Sequence, residues 1–426
     1  MDKQDQMKQI FVYADWEQFS IPKLMGILSS HRIRGKEVFQ FEYDKEWLES
    51  SFVQMIDPDL QLYVGPQYLQ DNKKSNFGIF LDSSPDRWGR ILMTRREAAL
   101  AKVENRSPKR LFETDYLLGV YDKHRMGAIR FKESNDGPFL NDNIKFAAPP
   151  WSSIRELEEI SIKIEEDKIV DDPNYLDWLR MLVAPGSSLG GARPKASIID
   201  ENNHPWIAKF PSKNDSYDIG AWEMVVNILA HKAGINMAEG MAQKFSTRHH
   251  TYLSKRFDRS LTGRRIHFAS AMTLLGYTDG NNHEDGVSYL ELVEFISNYG
   301  VRIKEDLEEL WRRIVFNICI SNTDDHLRNH GFILTSKGWQ LSPAYDINPV
   351  PNSYGLSLNI SEDDNALDLE LVKEVAPFFR ISQSQCDKII DEIKSSVSTW
   401  REIANKYNIS KSEQEVMKTA FINAEG

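Results

Sequence analysis

Three side chains able to do joint chemistry fall in one stretch, residues 312–350, RRIVFNICISNTDDHLRNHGFILTSKGWQLSPAYDINPV. Asp324 and Asn329 stand five apart in its polar loop, and Asp346 follows in AYDI. A carboxylate that orients and deprotonates a hydroxyl, with a carboxamide and a second carboxylate to hold Mg²⁺ on phosphates, is the equipment of phosphoryl transfer. The DxxxxN spacing is that of a kinase catalytic loop. A second chemistry shares the loop: Asp324, Asp325, His326 and His330 are donors suited to zinc or iron in a hydrolytic cluster. It leaves Asn329 and Asp346 without a task. A polar surface loop is the third reading, since Asn, Asp and Ser favour turns.

The elements that must position these groups are local and periodic. An apolar helix spans 303–320 (Leu307, Leu310, Trp311, Ile314, Val315, Ile318), behind a shorter one at 287–299. After the loop come a strand at 331–334, a turn at 336–338, a second strand and the acidic turn. Upstream, APGSSLGGARPKASIID carries Gly186, Gly190 and Gly191, which let backbone approach a phosphate, and Lys195 adds charge. It is neither a Walker loop nor GxGxxG. A short strand, WIAKF, then holds Lys209, and a helix at 219–232, ended by Gly234, buries Trp222, Val225, Val226 and Leu229 with Glu223 on the same face. A strand lysine and a helix glutamate fourteen residues on repeat the pair that holds nucleotide phosphates in kinases. Residues 249–259 read as a strand and turn at the place of an adenine-contacting linker.

The chain of 426 residues supports two or three domains, and its net charge of −11 argues against a broad nucleic-acid surface. RRE at 95–97 and RHH at 248–250 read as solvated faces. Cys319 and Cys386 in apolar helices read as buried thiols of a reducing compartment. MDKQDQMKQI has no apolar core and no apolar run approaches membrane length, so a soluble, cytoplasmic protein is expected. Residues 9–43 alternate as a β unit with a turn at 34–36. A helix is expected from about 85 to 103, with Pro85 in its first turn and Ser83 or Ser84 as cap. Residues 116–131 read as a hairpin around Asp122 to Arg125, 135–150 as a linker, 157–169 and 176–182 as amphipathic helices. The tail from about 366 is helical, with Ser382 and Gln385 as a capping box.

Taken in order, SSPDRWGR, SSLGGARPKA, IAKFP, a Glu-bearing helix, KRFDR, NTDDHLRNHGF and PAYDI resemble the HipA family, the serine/threonine kinase toxins of bacterial type II toxin and antitoxin pairs. The resemblance implies an α+β, bilobal, kinase-like fold similar to phosphatidylinositol kinases. It would comprise a β-rich N-terminal subdomain with a coupling helix (1–145), a nucleotide-binding part with the Gly-rich loop (146–260) and a helical catalytic lobe (261–426). It implies Asp324 as catalytic base and Asn329 and Asp346 as Mg²⁺ ligands. ATP would be held by Gly190, Gly191, Ala192, Arg193, Pro194, Lys195 and Lys209, with Glu223 as supporting ion pair, Lys255, Arg256 and Phe257 lining the adenine, and His326 and Tyr345 bordering the nucleotide. Ser188, next to Ser187, matches the serine whose autophosphorylation expels the loop and switches the kinase off; the added charge would repel ATP phosphates. Arg193 and Pro194 replace a Gln-Glu pair found in some members. The implied partners are a HipB-type helix-turn-helix antitoxin, DNA mainly through that antitoxin, and a protein substrate in the translation machinery. A catalytically inactive kinase-like corepressor or scaffold is the alternative.

Overall fold

The computed structural model describes residues 7–166, 169, 171–183 and 193–425, without the side chains of Phe146 and Val183. Gly186, Ser187, Ser188, Gly190, Gly191 and Ala192 lie outside the described residues. The chain forms two compact units, residues 1–213 with 256–269, and residues 214–255 with 270–426.

In the first unit a five-stranded sheet has the order β4-β3-β2-β1-β5, from β1 (Lys8–Ala14), β2 (Lys23–Ile33), β3 (Lys36–Tyr43), β4 (Pro66–Tyr68) and β5 (Ile129–Lys132). Alternation puts Ile10, Val12, Leu28, Phe39 and Phe41 on one buried face, with Ile10 opposite Leu28 and Leu28 opposite Phe41. Arg34 and Gly35, both at positive φ (50° and 76°), make the turn between β2 and β3, one residue shorter than the 34–36 expected because Lys36 already opens β3. At Gly26 a Cβ would lie 2.2 Å from the Glu42 carbonyl oxygen, so glycine is required where β2 crosses β3.

Two local expectations are corrected here. Residues 116–131 are not a hairpin. Helix Glu113–Gly119 and a 3-10 turn at Asp122–His124 lead into β5, which pairs with β1. A short apolar run such as YLLGVY fits either a buried helix or a strand, and the Asp115 carboxylate, accepting from the Phe112 amide at 2.9 Å, starts the helix. Helix Arg87–Val103 is capped by Asp86, which accepts from the Gly89 amide at 2.8 Å. Ser83 and Ser84 do not cap it: their hydroxyls donate back to the Ile79 and Phe80 carbonyls of the preceding helix, Gly78–Asp82.

Asp86 also accepts the Lys195 ammonium at 2.8 Å, with side-chain exposures of 0% and 3%. Lys195 opens β6 (Lys195–Ile199), which pairs with β7 (Pro205–Lys209). Helices Ile154–Glu165 and Tyr175–Val183 belong to the same unit. Packing thus keeps 146–213 with the β-rich part, and the units divide the chain at places other than 145 and 260.

The second unit is mostly helical. Helix Ile219–Lys232 starts at Asp218, whose carboxylate accepts from the Ala221 amide (3.2 Å), the His250 amide (2.8 Å) and His250 Nδ1 (2.7 Å). Those bonds fix the helix to the strand pair β8 (Gly240–Gln243) and β9 (Thr251–Lys255). β10 (His267–Ser270) lies in the first unit but for Ser270; the second unit continues with helices Tyr289–Tyr299 and Ile303–Ile320 and the hairpin β11 (Gly331–Thr335) and β12 (Gly338–Leu341). The tail carries helix Gln383–Val397, with the Ser382–Gln385 capping box, and Trp400 stacks on Phe421 at 4.6 Å between ring centres. Cys319 and Cys386 are buried and free. Among the described residues no helix is long and apolar enough to cross a membrane.

Candidate active site in the helical unit

Helix Ile303–Ile320 ends because Ser321 turns left-handed (φ 50°), letting the Asn322 amide return to the Asn317 carbonyl at 2.9 Å. The polar loop begins there. Its anchor is Asp325, 2% exposed, whose Oδ2 accepts from the Tyr289 hydroxyl (2.5 Å), Asn317 Nδ2 (2.8 Å) and His330 Nε2 (2.9 Å). Burial alone would raise its pKa, but His330 and the hydroxyl bond hold the carboxyl below the ordinary carboxylate range. A buried acid is tolerable because its bonds are made. With Asp325 and His330 committed to each other, the hydrolytic-cluster reading loses two of its four donors. Among the described residues no group of three or more His, Cys, Asp or Glu converges to hold a metal.

The neighbouring acid is turned the other way. Asp324 is exposed, and its pKa is raised, by desolvation first and then by Asp346 and Asp325, with His326 and Arg328 opposing. Asp324 and Asp346 are therefore near enough to repel each other. Asn329 is tied to the same place: its Nδ2 donates to the Asp324 carbonyl at 2.9 Å, and its Oδ1 is buried without a hydrogen-bond partner among the described residues. A buried carboxamide oxygen left bare costs about 1–3 kcal/mol. That cost is removed if a cation binds there, and an amide oxygen and carboxylates are the hard donors that Mg²⁺ takes.

Asp346 reaches this position from the other side of the hairpin. It has φ +56°, a left-handed backbone that Asp tolerates, in a segment fixed by the Ala344 amide on the Asn236 carbonyl (2.7 Å) and the Ala344 carbonyl on the Ala238 amide (2.9 Å). Tyr345 donates its hydroxyl to the Arg328 carbonyl at 2.7 Å, joining this turn to the loop. Asn322 continues the support, donating to Asn317 Oδ1 at 3.1 Å and accepting from the Asn348 amide at 3.4 Å. Asn317, Asn322, Tyr289 and Asn348 were not singled out from the sequence. The available signal was an asparagine inside the apolar run IVFNICI, because a buried polar group implies a partner.

The remaining sequence-derived residues fall as follows. Glu223 is buried on helix Ile219–Lys232 in the second unit, and Lys209 ends β7 in the first. Pro194 accepts the Phe210 amide at 2.9 Å, just ahead of β6, and Arg193 precedes it. Lys195 stands opposite Lys209 in the β6–β7 register, but its ammonium is taken by Asp86. Lys255 pairs with Glu239 at 3.0 Å. Arg256 is 5% exposed, and its guanidinium is spent on Asp258 (2.6 and 2.9 Å) and the His124 carbonyl. Phe257 packs on Phe268 at 5.8 Å. The Arg256 side chain is thus committed within the fold, whereas Lys255 and Phe257 are half-buried. His326 is half-buried beside Asp324, its Nδ1 without a hydrogen-bond partner among the described residues.

A β-rich N-terminal region, a strand pair carrying Lys209 and a helical part carrying Asp324, Asn329 and Asp346 make a kinase-like α+β fold. Residues 187–400, half of the chain, match the family HipA-like C-terminal domain, and the chain belongs to the HipA family. It is similar to a chain of the solved Shewanella oneidensis MR-1 complex of HipA, HipB and operator DNA, with TM-score 0.64 and 18% identity over 97% of this chain and 95% of that one. A Haemophilus influenzae protein whose name proposes a kinase is 25% identical over 194 residues, 41% of this chain and 56% of its own length. A Sinorhizobium fredii protein named in the same way is 28% identical over 185 residues, 40% of this chain and 42% of its own. The chain spans about half the length of these curated relatives.

Proposed function

We propose that the chain is an ATP- and Mg²⁺-dependent protein serine/threonine kinase acting as a HipA-type toxin. The observation that carries this reading is the buried Oδ1 of Asn329, which has no hydrogen-bond partner among the described residues while its Nδ2 donates to the Asp324 carbonyl at 2.9 Å. Asp324 orients the acceptor hydroxyl and takes its proton. Asn329 and Asp346 would hold Mg²⁺, which neutralises charge developing on the transferred phosphoryl oxygens. Asp325, with its three donors, keeps the loop rigid so that Asp324 needs no reorganisation.

Lys209, supported by Glu223, and the segment Gly190 to Pro194 would bind the ATP phosphates. The commitment of Lys195 to Asp86 favours Lys209 as the phosphate-contacting lysine and gives Lys195 the task of anchoring β6. Backbone groups at 255–257 would meet the adenine, bordered by His326 and Tyr345. Autophosphorylation of Ser188 would switch the kinase off by placing nearly two negative charges where ATP phosphates sit. A HipB-like antitoxin, bringing operator DNA with it, is the proposed partner, and a protein of the translation machinery the proposed substrate.

The experiment is incubation of the purified chain with γ-labelled ATP, with and without Mg²⁺, followed by peptide mapping. Label on Ser188 only when Mg²⁺ is present is expected. Wild-type protein that binds ATP yet labels neither itself nor any cell protein would refute the kinase and leave a scaffold.

A further inference from the structure

The helical unit has a pocket of ≈ 180 Å³ beside the catalytic loop, walled by Met272, the loop 278–282, His326, Leu327, Arg328 and Ser357. It is a built site. Asn281 Oδ1 accepts from both the amide and the hydroxyl of Thr278 (2.9 Å each), which closes the 278–282 loop. Ser357 ties the far wall to the loop that holds the base, donating to the Thr323 carbonyl at 2.7 Å and accepting the His283 amide at 2.8 Å. Arg328 reaches Asp279 at 3.2 Å, and Asp279 is 50% exposed. Two buried lining atoms, Arg328 Nε and His326 Nδ1, have no hydrogen-bond partner among the described residues.

Position and size decide what enters. The pocket's walls include His326, two residues after Asp324, and Ser357, bonded to the residue before it. Asn329, Tyr345 and Asp346 are not among them. Phosphoryl transfer is in line, so the acceptor hydroxyl meets the γ-phosphorus opposite the leaving oxygen, beside the base, and the residues flanking it lie on the base's side of the site. The volume is below the roughly 300–1,000 Å³ of a pocket for a whole small ligand, and matches one or two side chains. The spare Nε–H belongs to a permanent cation, and a guanidinium binds a carboxylate through two parallel N–H bonds.

We infer that this pocket is the acceptor subsite: it receives the polypeptide segment bearing the hydroxyl and reads an acidic side chain next to that hydroxyl through Arg328, with Asp279 holding the guanidinium until the acceptor arrives. The inference rests on the kinase reading above.

The test gives the full chain Mg²⁺, labelled ATP and a serine peptide library randomised at the flanking positions, comparing wild type with Arg328→Ala, Arg328→Lys and Asp279→Asn. The readout is the ratio of acidic to neutral products, which a change in overall rate does not move. Wild type should favour acidic flanks roughly tenfold, the worth of a charge-assisted bond. Arg328→Ala should abolish the preference, Arg328→Lys retain part of it, and Asp279→Asn raise it. A self-labelling chain that shows no acidic preference, the same preference after Arg328→Ala, or no library product overturns the subsite alone. Absence of all phosphoryl transfer by wild type overturns the kinase reading along with it.

Discussion

Replacing Asp325 by alanine tests whether the polar loop 321–330 is held from beneath. The carboxylate is buried, and one of its oxygens accepts from Tyr289, Asn317 and His330 at 2.5, 2.8 and 2.9 Å. Bonds to a charged acceptor contribute about 1.5–3 kcal/mol each, and truncation leaves three donors stranded. Because they share one oxygen the losses do not add fully, so about 4 kcal/mol is expected. The variant Asp325→Asn would keep an oxygen in place and lose only the charge, at about 1–2 kcal/mol. Hydrogen exchange on the peptide covering 321–335 reads this directly, since protection follows the local opening free energy. Alanine should lower protection about a thousandfold and asparagine about tenfold, by the conversion of about 1.36 kcal/mol per decade. A loss below about 1 kcal/mol with alanine would refute the loop's dependence on this network.

In the first unit, burial raises the pKa of Asp57 to about 7, against backbone bonds from Ile79 and Asp59 that lower it. The folded value lies above the unfolded one, so this group's stabilisation is complete below pH about 4 and lost as pH rises through about 7, by about 4 kcal/mol. Urea unfolding of wild type and Asp57→Asn should therefore agree at pH 4 more closely than at pH 8, where the variant is the more stable. Asp86→Ala should cost about 3–5 kcal/mol by stranding the Lys195 ammonium. The double change Asp86→Ala with Lys195→Met should recover most of it in the same assay.

The elements around the candidate site were legible because their determinants are local. The spacing of Asp324 and Asn329, the turn at 336–338 between β11 and β12, and the apolar stripe of Ile303–Ile320 are all set within a few residues. What supports them is not local. Tyr289 meets Asp325 across 36 residues, and no short-range pattern records that bond. Asp325 and His330 consequently read as metal donors, although together they satisfy one another. The start of helix Arg87–Val103 is hidden for a similar reason: Ser83 and Ser84 look like caps until the helix before them, whose carbonyls they satisfy, is known. The left-handed turns at Ser321 and Asp346 were also invisible, since neither residue is glycine.

The kinase account rests on Asp324 as the base. Its most direct test compares phosphoryl transfer and ATP affinity in wild type and Asp324→Asn. The account predicts unchanged ATP binding and a rate lower by roughly 10²–10⁴, the usual contribution of a positioned base. A variant that transfers phosphate at a rate within about threefold of wild type would contradict it.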